Sequence, residues 1–287
     1  MKFRVLALAV AVAVPAAASA APQFAVWLDG NTTPGGGGNG IVTSLAQAFG
    51  AGSYQLVSTA DLSTPGFLNS FSTVIVSRYA SNFGTYLPAT AVANIKSYVG
   101  SGATQGGVAA FTNDAADSLY GATTGDPYDP NVNQLFINAA KFAAASGHGY
   151  IGEFNGAIQA FTANGAGAIP LGLLTGTAAA TIGVSGQFIF ATGPIGNGNA
   201  IDQGVSFPFA DTETTDFLTR VSGADPNQVV DIYTGNNTIN GVPAVIANNY
   251  VISGGNPTPS PVPEPTVLSM FAASLAGLGV ARRRKRG

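Results

Sequence analysis

Phe24-Ala25-Val26-Trp27-Leu28 is an uninterrupted apolar run that stops at Asp29-Gly30. Five apolar residues without alternation read as a strand buried on both faces, as in a parallel sheet covered by helices on each side. The segments that follow agree with this. Ile41 to Phe49 carries apolar residues at helical spacing, and Tyr54 to Val57 reads as a second strand. Ser72 to Ser77, rich in β-branched residues, is a third. Pro88 to Val99 is expected to be helical, with Pro88 suited to the first turn and Gly100 to the end. Gly106 to Phe111 reads as a fourth strand and Val132 to Ala145 as a helix. His148 to Ile151 then opens a fifth strand, and Gly156 to Thr162 reads as a short helix. Strands alternating with helices imply an α/β fold with helices on both faces of a mostly parallel sheet.

The chain changes character from Ile169 onward. Thr181 to Ile189, Gln228 to Tyr233 and Val242 to Ala247 read as strands separated by Gly/Asn turns, with a helix near Thr214 to Val221. The expectation is a β-rich second half that continues the sheet with an antiparallel edge or excursion. A separate all-β domain from about Ile169 is the competing arrangement.

Gly152-Glu153-Phe154-Asn155-Gly156, a strand end, a tight turn and an immediate helix, has the pattern of a nucleophile elbow. It resembles the class I glutamine amidotransferase elbow, Gly-x-Cys-Asn-Gly, with Phe154 where that family has its cysteine. The order of the preceding elements also suits that family's flavodoxin-like fold, and Ala200 to Val205 is similar to a loop that follows the elbow in related domains. The resemblance implies a degenerate site. Phe154 cannot attack a carbonyl, the chain has no cysteine, and its single histidine, His148, precedes the elbow, whereas the family's base follows it. A structural role is expected for His148.

The two ends carry addresses. Met1-Lys2-Phe3-Arg4, the apolar Val5 to Val14 and the small residues Ala18-Ser19-Ala20 form a secretory signal peptide, with signal peptidase cleavage expected before Ala21. At the other end, Val262-Pro263-Glu264-Pro265 precedes an uncharged run from Thr266 to Ala281 and then Arg282-Arg283-Arg284-Lys285-Arg286. As a helix that run would span about 24 Å, a marginal length for crossing a membrane. The basic cluster is expected on the cytoplasmic side of the inner membrane. Asn256 to Pro265 has proline at alternate positions, so it reads as an extended spacer.

This tail resembles the PEP-CTERM sorting domain of Gram-negative bacteria, a family also labelled an ice-binding protein C-terminal domain. The resemblance implies that an exosortase recognises Pro263-Glu264-Pro265 and removes the helix and basic cluster, making the anchor transient. It also implies a producer of exopolysaccharide. The expected organisation is a signal peptide at 1–20, an exported domain at 21–253, a Pro-rich linker at 254–262 and the sorting segment at 263–287.

Charge and cysteine content exclude several classes. Seven of the eleven basic residues lie in the targeting segments, which leaves Arg78, Lys96, Lys141 and Arg220 against 13 acidic residues, a net of −9. Nucleic-acid binding needs a basic face, so it is not expected. Without cysteine there are no disulfides, thiol nucleophile or thiolate metal site.

The remaining candidates are thin, and neither metal nor cofactor is expected. Thr33 to Gly40 is glycine-rich but lacks the Lys-Ser/Thr of a phosphate loop, so it reads as a flexible loop. Gly125 to Asn131 offers oxygen ligands for calcium without matching a calcium-loop pattern, and an Asp-Pro turn explains it. Asp114 with Asp117, or Asp211 with Glu213 and Asp216, are carboxylate pairs of unknown separation. If the fold were catalytic, its site would lie at the carboxyl ends of the strands, near Asp29, Arg78, Asn113-Asp114 and Glu153, with Glu153 and Asp29 the first residues to mutate. Thr212 to Thr215 does not recur at a fixed period, so a regular ice-binding array lacks support. The leading expectation is a non-enzymatic surface or matrix protein associated with exopolysaccharide. A secreted hydrolase and an ice-binding protein are the alternatives.

Overall fold

The computed structural model describes residues 23–28, 33–77, 87–111, 115–123, 127–152, 172–181, 188–192, 200–211, 216–220, 229–234 and 243–248. Strands β1 (Phe24–Leu28), β2 (Tyr54–Leu56), β3 (Thr73–Ser77), β4 (Val108–Phe111) and β5 (Gly149–Gly152) form where the apolar runs place them. They pair in parallel in the order β2-β1-β3-β5-β4. Antiparallel β11 (Pro243–Ala247) then joins β4, and β10 (Val229–Thr234), β7 (Phe188–Thr192) and β8 (Phe209–Asp211) extend the sheet to nine strands.

Helices cover both faces of the parallel part. On one face α1 (Gly37–Phe49) and α4 (Pro130–Ala144) bury Ile41, Leu45, Leu135 and Phe136 against Phe24, Val26, Ile75 and Ile151. On the other face α2 (Thr59–Ser63) and α3 (Ala89–Val99) bury Leu62, Val92 and Ile95 against Trp27, Val74, Val76 and Tyr150. The alternation of β1 between these two cores, Phe24/Val26/Leu28 against Ala25/Trp27, is why its sequence is apolar throughout. The Trp27 indole N–H donates to Thr59 Oγ1 at 3.0 Å, which fixes the start of α2.

The crossovers through α1 and α4 move one way along the sheet on one face. Those through α2 and α3 move the other way on the opposite face. All four therefore share one hand, as parallel connections require.

Four expectations are corrected. Strand order departs from the flavodoxin-like 2-1-3-4-5, because β5 inserts between β3 and β4. Thr214 to Val221 is not a helix: Asp216–Arg220 is strand β9, paired antiparallel with β6 (Thr177–Thr181) in a separate two-stranded sheet. Thr181 to Ile189 is not one strand, since β6 and β7 belong to different sheets. The glycine-rich loop is partly helix, because α1 already begins at Gly37. A separate β domain from Ile169 is also disfavoured, because β7, β8, β10 and β11 hydrogen-bond into the main sheet.

The glycines of α1 exist for contact. A Cβ on Gly40 would lie 2.7 Å from the Ala116 carbonyl oxygen and 2.8 Å from Leu119 Cβ, and one on Gly37 would strike the Asp117 carboxylate. The helix therefore presses its backbone on the 3-10 turn Ala115–Ser118 and the residues after it. Asn133 of α4 completes this corner: its Oδ1 accepts the Ser44 hydroxyl at 2.6 Å and the Tyr120 N–H at 3.1 Å.

Candidate functional site

In an open parallel sheet ligands bind beyond the carboxyl ends of the strands, where neighbouring connections diverge to opposite faces. Here β1 leads to α1 on one face and adjacent β3 leads to α3 on the other, so the divergence lies between them. Leu28 is in register with Ser77, and Gly152 with both Val76 and Ala110, so these strand ends share one edge. Asp29, Arg78, Asn113, Asp114 and Glu153, the residues expected there, lie outside the described residues. So do Phe154, Asn155 and Gly156 of the elbow pattern.

Gly152 is described and has a local explanation. It ends β5 fully buried, and a Cβ there would run into the Tyr150 hydroxyl on the same side of the strand. Glycine at this place serves packing. Two features of this edge were not anticipated. Tyr150 is buried with its hydroxyl beside Gly152, and the Ser77 hydroxyl is buried without a hydrogen-bond partner among the described residues.

His148 sits at the opposite, amino end of β5. Its Nδ1 lies 2.6 Å from the Ser146 carbonyl oxygen and its Nε2 2.9 Å from that of Thr104. Both neighbours are acceptors, so a neutral ring donates to one of them at a time. The ring clamps the β5 entry to the 3-10 turn Gly102–Thr104, and its edge meets Tyr98 at 6.4 Å. The contacts described for His148 are to backbone carbonyls and one aromatic ring.

Asp129 caps α4, its Oδ1 accepting the N–H groups of Asn131 at 2.7 Å and Val132 at 3.3 Å. Such a cap satisfies N–H groups that the first turn of a helix leaves free. Asp211 and Asp216 stand on β8 and β9, in different sheets. No cluster of three or more His, Asp or Glu residues suited to a metal occurs among the described residues. The turn Ala200 to Gly204 is held on α4 by Asn138, whose amide donates to the Ile201 and Gln203 carbonyls at 2.6 and 2.7 Å.

A pocket of about 210 Å³ lies between α3 and the 3-10 turn Phe67–Ser70, lined by Thr64, Leu68, Asn69, Asn94, Ser97 and Tyr98 among others. It is uncharged. Burial pushes the Tyr98 hydroxyl above the ordinary tyrosine range, so it stays protonated and donates to the Phe71 carbonyl at 3.0 Å. This pocket holds no acid–base pair, and it belongs to the amino edge, away from the strand carboxyl ends.

Residues 261–285 match the model of the PEP-CTERM protein-sorting motif. The chain carries an exosortase sorting signal. The PEP-CTERM motif implies processing by exosortase and sorting to the cell surface. Val262 to Pro265, Arg282 to Arg286 and the cleavage-site residues Ala18, Ala20 and Ala21 all lie outside the described residues. Within the described residues no helix is long and apolar enough to cross a membrane. No curated protein and no solved structure matches the chain, so the amidotransferase resemblance gains no support.

Proposed function

We propose that this PEP-CTERM protein is a non-enzymatic component of the cell surface or extracellular matrix that associates with exopolysaccharide. The sorting motif at 261–285 carries the reading, because it implies sorting to the cell surface, and the resemblance of the tail implies an exopolysaccharide producer. The chemistry agrees. Cysteine is absent, and the one histidine is engaged by two backbone carbonyls at the amino edge of the sheet. A thiol nucleophile is therefore excluded, and His148 does not stand at the strand carboxyl ends to serve as a base there. Retention of the exported protein on the producing organism's own polysaccharide is the test. Wild-type protein is expected to be retained, and passage at the rate of an inert marker removes the binding claim.

A second reading, a secreted hydrolase acting through carboxylates at the strand carboxyl ends, is favoured by one observation. The divergence of connections between β1 and β3 directly precedes Asp29 and Arg78 in the chain. Asp29→Asn and Glu153→Gln would each abolish glycan or amide hydrolysis under that reading. Wild-type protein without turnover on either substrate class rejects it.

A further inference from the structure

Tyr120 and Tyr128 are the large hydrophobic side chains exposed among the described residues, at 43% and 51%, and they lie against each other. Their ring centroids are 5.8 Å apart and the planes cross at 80°. Singly exposed aromatics are ordinary, but an adjoining pair is a small apolar platform in water. Both belong to the connection from β4 to α4, which leaves the carboxyl edge of the parallel strands.

The backbone that carries the pair is held in place. The Tyr120 N–H donates to Asn133 Oδ1 at 3.1 Å, and its carbonyl accepts the Ser44 hydroxyl at 3.4 Å. Tyr128 directly precedes the Asp129 cap of α4, and the Asp129 N–H donates to the Ser118 carbonyl at 3.0 Å. Three residues after Tyr120 in the chain, the Thr123 hydroxyl accepts from the Asn39 amide at 3.0 Å at the surface, so the same connection carries an exposed neutral hydrogen-bonding group. Rigid tyrosines offer large contact area at low entropic cost.

We infer that the Tyr120–Tyr128 pair is a binding platform for a sugar ring of a neutral glycan. The electron-rich face of a tyrosine attracts the partly positive C–H face of a pyranose, and Asn39 and Thr123 at the surface offer neutral groups to its hydroxyls. Neutral glycan is favoured over a polyanion because the exported part carries a net charge of −9. This inference rests on the surface-glycan reading and gives it a location.

The test is titration of the exported protein with neutral hexasaccharides of glucan, galactan and mannan, followed by the ring resonances of assigned tyrosines. At least one glycan is expected to shift the Tyr120 and Tyr128 rings. Tyr128→Ala and Tyr120→Ala should each weaken that binding at least tenfold, and Tyr128→Phe should retain it. Rings unmoved by every glycan, or moved only by raising the protein's own concentration, overturn the inference, the second outcome indicating contact between two copies. Retention of the Tyr120→Ala/Tyr128→Ala double variant on the producer's polysaccharide, equal to wild type, overturns this location while the glycan reading stands. Non-retention of wild type removes the reading itself.

Discussion

Asn248 Oδ1 accepts the backbone N–H of Val108 at 2.7 Å, joining residues 140 positions apart. The same side chain donates to the Gly106 carbonyl at 2.8 Å and to Gln105 Oε1 at 3.1 Å, and its own N–H donates to Val108 O at 3.0 Å. It therefore stitches the end of β11 to the start of β4, where the parallel half of the sheet meets the antiparallel half. Asn248→Ala leaves the Val108 N–H buried without that acceptor, and destabilisation of about 1–3 kcal/mol is expected. Asn248→Asp keeps the acceptor but sets a carboxylate oxygen against the Gly106 carbonyl, so it should not restore stability. Urea unfolding of both variants measures this, and a wild-type midpoint for the alanine variant contradicts it.

Gly40→Ala opposes two effects of known size. Alanine is favoured over glycine within a helix by about 1 kcal/mol. The added Cβ, however, would stand 2.7 Å from the Ala116 carbonyl and 2.8 Å from Leu119 Cβ, and overpacking of this kind costs about 1–3 kcal/mol. The backbone oxygen cannot move aside as a flexible side chain would, so the variant is expected to be less stable. A raised melting temperature would show that the α1 corner relaxes freely.

The strands of the parallel half were legible because their residues meet two cores, as Phe24–Leu28 and Thr73–Ser77 do. Helix α3 was legible from Pro88 and Gly100 at its ends. What the sequence hid was partnership. Phe217, Leu218 and Val221 fit a helical spacing, yet residues 216–220 pair one for one with β6, and tertiary pairing overrides so short a pattern. Nothing local announces that β5 inserts between β3 and β4. Helix α2 carries its own start signal: Ser58 and Asp61 form a capping box at a spacing visible in the sequence. Glycine at 37 and 40 suggested a loop by propensity, while backbone-to-turn contact decided for helix. For the candidate site, the sequence itself lacks a thiol, whereas the Tyr120–Tyr128 pairing follows from a fold that sequence periodicity does not report.

His148→Ala removes ring contacts to two carbonyls and one aromatic neighbour. The side chain is partly exposed and water replaces some of what is lost, so a destabilisation of about 1 kcal/mol is expected. Its position at the amino end of β5, opposite the strand carboxyl ends, predicts unchanged glycan binding. Loss of binding in a variant that remains folded would assign His148 a role beyond the clamp.

The sorting motif gives the sharpest prediction about the exported product. The run from Thr266 to Ala281 carries no charge, and five consecutive basic residues follow it. The transient-anchor reading has this segment held at the inner membrane by its apolar run and its cytoplasmic positive end. Release then requires cleavage on the exported side of that run, beside Pro263-Glu264-Pro265 within the matched motif. Intact mass of the wild-type surface form is therefore expected to exclude Thr266 to Gly287, and the same chain made without exosortase should keep them and stay in the membrane fraction. Replacing Pro263, Glu264 and Pro265 with alanine should reproduce the uncleaved, membrane-held form. Because those positions follow the last described strand, β11, in the sequence, the exported domain is expected to keep its wild-type unfolding midpoint, which separates failed sorting from failed folding.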